Sequence, residues 1–152
     1  HKSTSNNKSL TVHPIGNMTT VIMGGKPQQL SPSASLIMKE AFLILKKYAE
    51  EAKVDVTCTV ESTHPGPAVT TPSLFIEIGS TEEEWTDQSA GTVIAKVIED
   101  IITQKNDERE SVIVLGGGHY SPAANKILAE TNYAVGHIAS KYMIEHLTED
   151  VV

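Results

Sequence analysis

The chain has 152 residues, 39% hydrophobic and 20% charged, enough to bury a core and too apolar for a disordered segment. No apolar run approaches the roughly 20 residues that span a bilayer, and a single cysteine, Cys58, excludes an intramolecular disulfide and points to a reducing cytoplasm. The net charge of −7 argues against a polyanionic partner, yet residues 1–53 carry seven basic and three acidic groups, a balance of +4, against five and sixteen, a balance of −11, over residues 54–152; the basic third can face phosphates.

In chain order, residues 1–8 hold no apolar signal core. The chain opens on His1 rather than Met, so it reads as a single α/β domain cut from a longer protein. Ser9–His13 predicts a short strand, stopped by Pro14. Met18–Ile22 predicts a second strand or extended segment, and Gly24–Pro27 a turn. Ser31 before Pro32 predicts an N-cap with proline at the first helical position. The helix that follows ends near Ala52, and Lys39, Lys46 and Lys47 read as its solvated face. Val54–Val60 alternates as a strand, which makes Cys58 a core residue rather than a nucleophile. Leu74–Ile78 predicts another strand, closed by Gly79. Ser80 and Glu83 resemble a capping box, and Trp85 reads as packing. Asp87–Gln104 predicts the main helix, with a charged loop from Asn106 to Glu110. Val112–Leu115 is the most apolar strand. Pro122–Glu130 predicts a short helix, Tyr133–Val135 a short strand, and Ser140–Glu149 a closing helix. Alternating strands and helices predict an α/β fold, three-layer α/β/α, with a largely parallel or mixed sheet.

His64, His119 and His137 each fall just past a predicted strand end, and His13 ends one. In open α/β sheets those ends meet at the ligand crevice. Imidazoles there act as general base toward water or hold zinc with a fourth position left for water. Their spacing does not choose between the two. Gly116-Gly117-Gly118 after a strand lets backbone N–H groups approach an anion, so Gly117 and Gly118 are candidate oxyanion donors. Thr63-His64-Pro65-Gly66-Pro67 is a rigid loop that positions its His. Glu61 and Glu77 flank it and can orient an imidazole, although Glu77 can equally face solvent.

Four segments carry a resemblance: Ser9–Asn17, Glu61–Trp85, Gly116–Pro122 and Gly136–Tyr142. In order and spacing the chain resembles the D-aminoacyl-tRNA deacylases of archaea and plants. The resemblance implies hydrolysis of the ester between a D-amino acid and the terminal tRNA ribose, with D-aminoacyl-tRNA as partner and zinc as cofactor; no protein partner is evident. It places His64, His119, His137 and Glu61 in the catalytic set, His1, His13 and Glu77 in a metal set, and Lys26, Tyr120 and Lys141 against the substrate. Rejection of the L-ester is expected from steric exclusion by the Pro65–Pro67 loop. The chain departs from the family where a second His is usual, at Pro65, and where Arg is frequent, at Ala123. Family chains are also longer. Two other readings stay open: a metal-dependent amidase or peptidase, and a non-catalytic tRNA- or nucleotide-binding relative.

Overall fold

Strict alternation along strand β1 (Ser9–His13) sorts its side chains onto two chemically different faces. The structure, a computed structural model, describes residues 8–20, 23–79, 81–104, 108–149 and 151. In it β1 is the middle strand of a mixed sheet, parallel to β4 (Thr57–Val60) and antiparallel to β5 (Phe75–Gly79). The register puts Leu10, Val12, Cys58, Val60, Ile76 and Ile78 on one face. Helices α1 (Ser35–Glu51) and α3 (Gln88–Thr103) cover that face with Met38, Phe42, Leu45, Val93 and Val97. The other face carries Thr11, His13, Phe75 and Glu77. A period of two therefore separates the core from the chemistry.

A second parallel pair, β6 (Ser111–Leu115) and β7 (Ala134–Ala139), is joined by helix α4 (Pro122–Glu130). Ser121 caps α4 by accepting from the Ala124 N–H, with Pro122 opening the helix. A short ladder, β2 (Gly16–Asn17) with β3 (Gln29–Leu30), completes the pairing. The α/β class and the mixed sheet are as expected. The segment after β4 stitches the pieces together. Ser62 N–H donates to the His119 carbonyl, Thr63 N–H to that of Ile138, and His64 N–H to that of Pro14. Chain ends of β1, β4 and β6 meet there.

Several local expectations shift. The early pairing is at Gly16–Asn17, Met18–Thr20 form bends, and residues 21 and 22 lie outside the described residues. The first helix starts at Ser35 instead of after Ser31, with Ala34 as an N-cap that makes no side-chain bond. Ser31 is spent elsewhere: its hydroxyl donates to the Pro67 carbonyl, and the Pro32 carbonyl accepts from Ser73 N–H, which keeps this stretch extended. The capping box sits one residue later, with Thr81 and Glu84 as its partners at the start of the short helix α2 (Glu82–Trp85). Thr57 rather than Val54 opens β4, and β7 runs on through His137 to Ala139. In place of a closing helix there are turns and a single 3-10 turn, Ile144–His146. That stretch leaves Tyr142 and Ile144 exposed, too little burial to offset helix nucleation. The apolar strand β6 leaves Ile113 and Leu115 bare on one face.

Lys39 is the largest departure, because it is buried rather than solvated. Its ammonium donates to the carbonyls of Leu128, Thr131 and Tyr133 at 2.8, 2.6 and 3.0 Å. A cation on these orphan carbonyls complements the negative end of α4. Burial lowers its pKa, with the Arg109 charge as a second cause. Lys46 and Lys47 are exposed, as expected.

The Pro65–Pro67 loop is held against β2. Asn17 Nδ2 donates to the carbonyls of Gly24, Lys26 and Gly66. A Cβ on Gly66 would run into Cγ2 of buried Ile15. Gly66→Ala is therefore expected to cost about 1–3 kcal/mol through overpacking, measured as a lower urea midpoint at unchanged slope.

Candidate active site

Four groups from three separate loops form one chain of contacts. His13 sits at the end of β1, Glu61 and His64 follow β4, and His119 follows β6. Glu61 lies between two imidazoles: Oε2 is 3.4 Å from His64 Nδ1 and Oε1 is 3.4 Å from His119 Nε2. His64 Nε2 and His119 Nδ1 are 3.3 Å apart. The His64 ring stacks on His119 at 4.8 Å and lies 4.3 Å from that of His13. Glu61, His13 and His64 are buried, whereas 37% of the His119 side chain is exposed. Solvent reaches the cluster through His119.

The two central imidazoles are pushed apart in pKa. His64 is lowered to about 4 by burial and by the neighbouring His13 charge. His119 is raised, chiefly by its hydrogen bond to Glu61. One proton arrangement satisfies every contact. Neutral His64 donates from Nδ1 to Glu61 and accepts at Nε2 from His119, whose second N–H donates to the other Glu61 oxygen. Opposed pKa shifts of this kind divide an acid from a base.

The signs set a pH dependence for metal-free protein. Between pH 6.5 and about 4 the unfolded chain protonates His64 and the folded chain does not, so stability falls as pH drops, by up to about 3 kcal/mol. His119 acts oppositely: its stabilisation is full below its unfolded pKa and is lost as pH rises through its folded one. Denaturation midpoints of chelator-treated protein are expected to fall steadily from pH 6.5 to 4; a flat profile there contradicts the placement of His64.

His13 places Nδ1 3.1 Å from the Pro14 carbonyl and hydrogen-bonds Glu77 Oε1 from Nε2 at 3.2 Å. That hydrogen bond holds the Glu77 carboxyl below the usual carboxylate range. Two imidazoles and a carboxylate, His13, Glu61 and His64, bring one ligand atom each within 4.8 Å of one another. Beside them a cavity of about 180 Å³ is lined by Met23, Pro67 and Phe75 together with His13, His64 and Glu77.

The remaining candidates divide. His137 lies inside β7, not past its end. Its Nε2 donates to the Ser31 carbonyl at 3.0 Å and its Nδ1 faces Thr63 Oγ1 at 3.2 Å. Both nitrogens are engaged in tying β7 to the His64 loop, and burial lowers its pKa. Gly116 and Gly117 adopt positive φ, which glycine allows without strain. Gly116 N–H is spent on the Ala139 carbonyl, and Lys141 N–H donates to that of Gly117. Among the described residues neither Gly117 nor Gly118 N–H pairs with a backbone carbonyl. Tyr120 meets the His119 ring edge-on at 5.0 Å and bridges Glu61 through its backbone. Lys26 and Lys141 are exposed, the latter over the Tyr142 ring. His1 lies outside the described residues. Asn17 went unassigned in the sequence, and its buried position between Gly24 and Gly66 is a long-range contact that local pattern does not encode.

A model of the D-aminoacyl-tRNA deacylase family matches residues 1–152. The chain is 38% identical over 151 residues to a D-aminoacyl-tRNA deacylase of Archaeoglobus fulgidus, covering 99% of this chain and 54% of that protein. It is 37% identical over 163 residues to one from Methanocaldococcus jannaschii, covering 63% of that protein. A crystal structure of a conserved protein of unknown function matches with a TM-score of 0.89 and 41% identity, over 97% of this chain and 52% of that one. The chain thus spans about half the length of most curated relatives it matches.

Proposed function

The chain belongs to the D-aminoacyl-tRNA deacylase family, and from that premise we propose that the Glu61–His64–His119 cluster hydrolyses the ester joining a D-amino acid to the terminal ribose of tRNA. The observation that carries the reading is Glu61 held between a buried neutral imidazole and a solvent-facing one. Once His119 has given up its Nδ1 proton and keeps Nε2–H on Glu61, its Nδ1 lone pair takes the proton of an attacking water. The water oxygen bonds to the ester carbonyl carbon, the bond from that carbon to the ribose oxygen breaks, and the proton passes to that departing oxygen, which leaves as the ribose hydroxyl. The N–H groups of Gly117 and Gly118 are the oxyanion donors in this account. His64, with a pKa near 4, is a weak proton acceptor and serves better as a neutral donor toward Glu61 or a metal.

Zinc fits His13, Glu61 and His64. The donor set is that of a three-ligand catalytic site, and the three residues, all buried, bring one ligand atom each within 4.8 Å of one another. Bound there, the ion would supply Lewis acidity toward the ester or its attacking water. Glu77, beside His13, then orients that ring. The deacylase setting is cytoplasmic in this reading. Among the described residues no helix is long and apolar enough to cross a membrane.

The test offers D-tyrosyl-tRNA and L-tyrosyl-tRNA to the whole protein that carries this chain. Release of D-tyrosine with little L-tyrosine is expected, with a loss of rate in chelator that added zinc restores. Equal cleavage of both esters, or of neither, contradicts the proposal. Hydrolysis of an N-acyl or peptide substrate without tRNA would select the amidase reading instead.

A further inference from the structure

Resting on the deacylase reading above, we infer that the cavity beside the histidines is the aminoacyl pocket, in which the Glu77 carboxylate receives the substrate's α-ammonium group and the wall of Met23, Pro67 and Phe75 receives its side chain. The cavity holds about 180 Å³ and its lining is divided by chemistry. Met23 and Phe75 leave 60% and 39% of their surface exposed, a large apolar area to leave beside a polar centre. Glu77 is two residues from Phe75 on the same face of β5, so their Cα atoms lie about 6–7 Å apart. That spacing suits two substituents of one Cα atom.

The charges point the same way. An aminoacyl ester with a free amine carries a cation next to the scissile carbonyl, and a cation leaving water needs a carboxylate partner. Glu61 has both oxygens on imidazoles, those of His64 and His119, whereas Glu77 meets His13 through Oε1 and opens on the cavity with 40% of its side chain exposed. The apolar wall does not yield easily. Asn17 holds the Gly66 carbonyl and Ser31 holds that of Pro67. With the ester carbonyl beside His64 and His119, only one hand of Cα places ammonium on Glu77 and side chain on Phe75. The mirror image sets the cation against Phe75 and the side chain against the carboxylate. Selection by chirality then comes from two placed substituents rather than from exclusion alone.

The experiment compares kcat/KM for D-tyrosyl-tRNA and N-acetyl-D-tyrosyl-tRNA in the whole protein and in Glu77→Gln. The wild type is expected to prefer the free amine by on the order of tenfold, a charge-assisted hydrogen bond's worth. In Glu77→Gln that preference should collapse toward one, and the D-over-L ratio should fall with it. A ratio unmoved by the substitution overturns the inference while leaving the deacylase reading intact. No cleavage of either ester by the wild type removes that reading first, and this one with it. Phe75→Ala supplies an independent arm, because loss of aromatic burial should lower D-tyrosyl relative to D-alanyl turnover by on the order of tenfold. Equal losses on both substrates would reduce Phe75 to a structural residue and overturn the wall assignment.

Discussion

Glu61→Gln is expected to lower kcat for D-tyrosyl-tRNA hydrolysis by about 100- to 10,000-fold, the range that general acid–base groups supply, with the fold retained. Glu61 is the group that touches both central imidazoles, at 3.4 Å to each. Its hydrogen bond to His119 is the main cause that raises the His119 pKa, and its charge adds to it. A glutamine keeps the size and one acceptor but not the charge, so His119 should lose its proton at lower pH. The limb of the rate profile that belongs to His119 should therefore move to lower pH along with the fall in kcat. A variant with normal kcat and an unmoved limb would show that the carboxylate is only a structural partner.

The second large effect is on stability. Lys39→Met should cost about 3 kcal/mol or more, read from chemical denaturation, with little change in KM. Methionine retains the apolar stem but leaves three carbonyls facing it, those of Leu128, Thr131 and Tyr133. An unsatisfied buried acceptor costs about 1–3 kcal/mol, and water entering at the partly exposed side recovers some of this. These carbonyls end α4 and lead into β7, the strand that carries His137. A loss below about 0.5 kcal/mol would mean that the ammonium is not needed where it sits.

The sequence was legible where period and burial agree. Ser9–His13 forms the strand expected of it, and the helix expected over Pro122–Glu130 has those bounds. It was less legible where long-range bonds override local signals. Ser31-Pro32 has the form of a helix start, but Ser31 bonds to Pro67, 36 positions away. Lys39 has the form of a surface lysine, and only the fold brings the end of α4 over it. At the candidate site, the meeting of His64 and His119 followed from their positions after β4 and β6. His137 has the same sequence context, yet β7 runs through it and both its nitrogens are engaged. The pairing of Glu61 with two imidazoles at once needed three-dimensional structure, since an i,i+3 spacing to His64 says nothing of His119.

Whether His64 and His119 act through Glu61 as one unit can be measured directly. Initial rates of D-tyrosine release from D-tyrosyl-tRNA would be taken for His64→Ala, His119→Ala and the double variant. If one centre is at work, the double variant should lose scarcely more than the worse single one. Losses that multiply, or a single variant with wild-type turnover, would separate the two residues and contradict the shared centre.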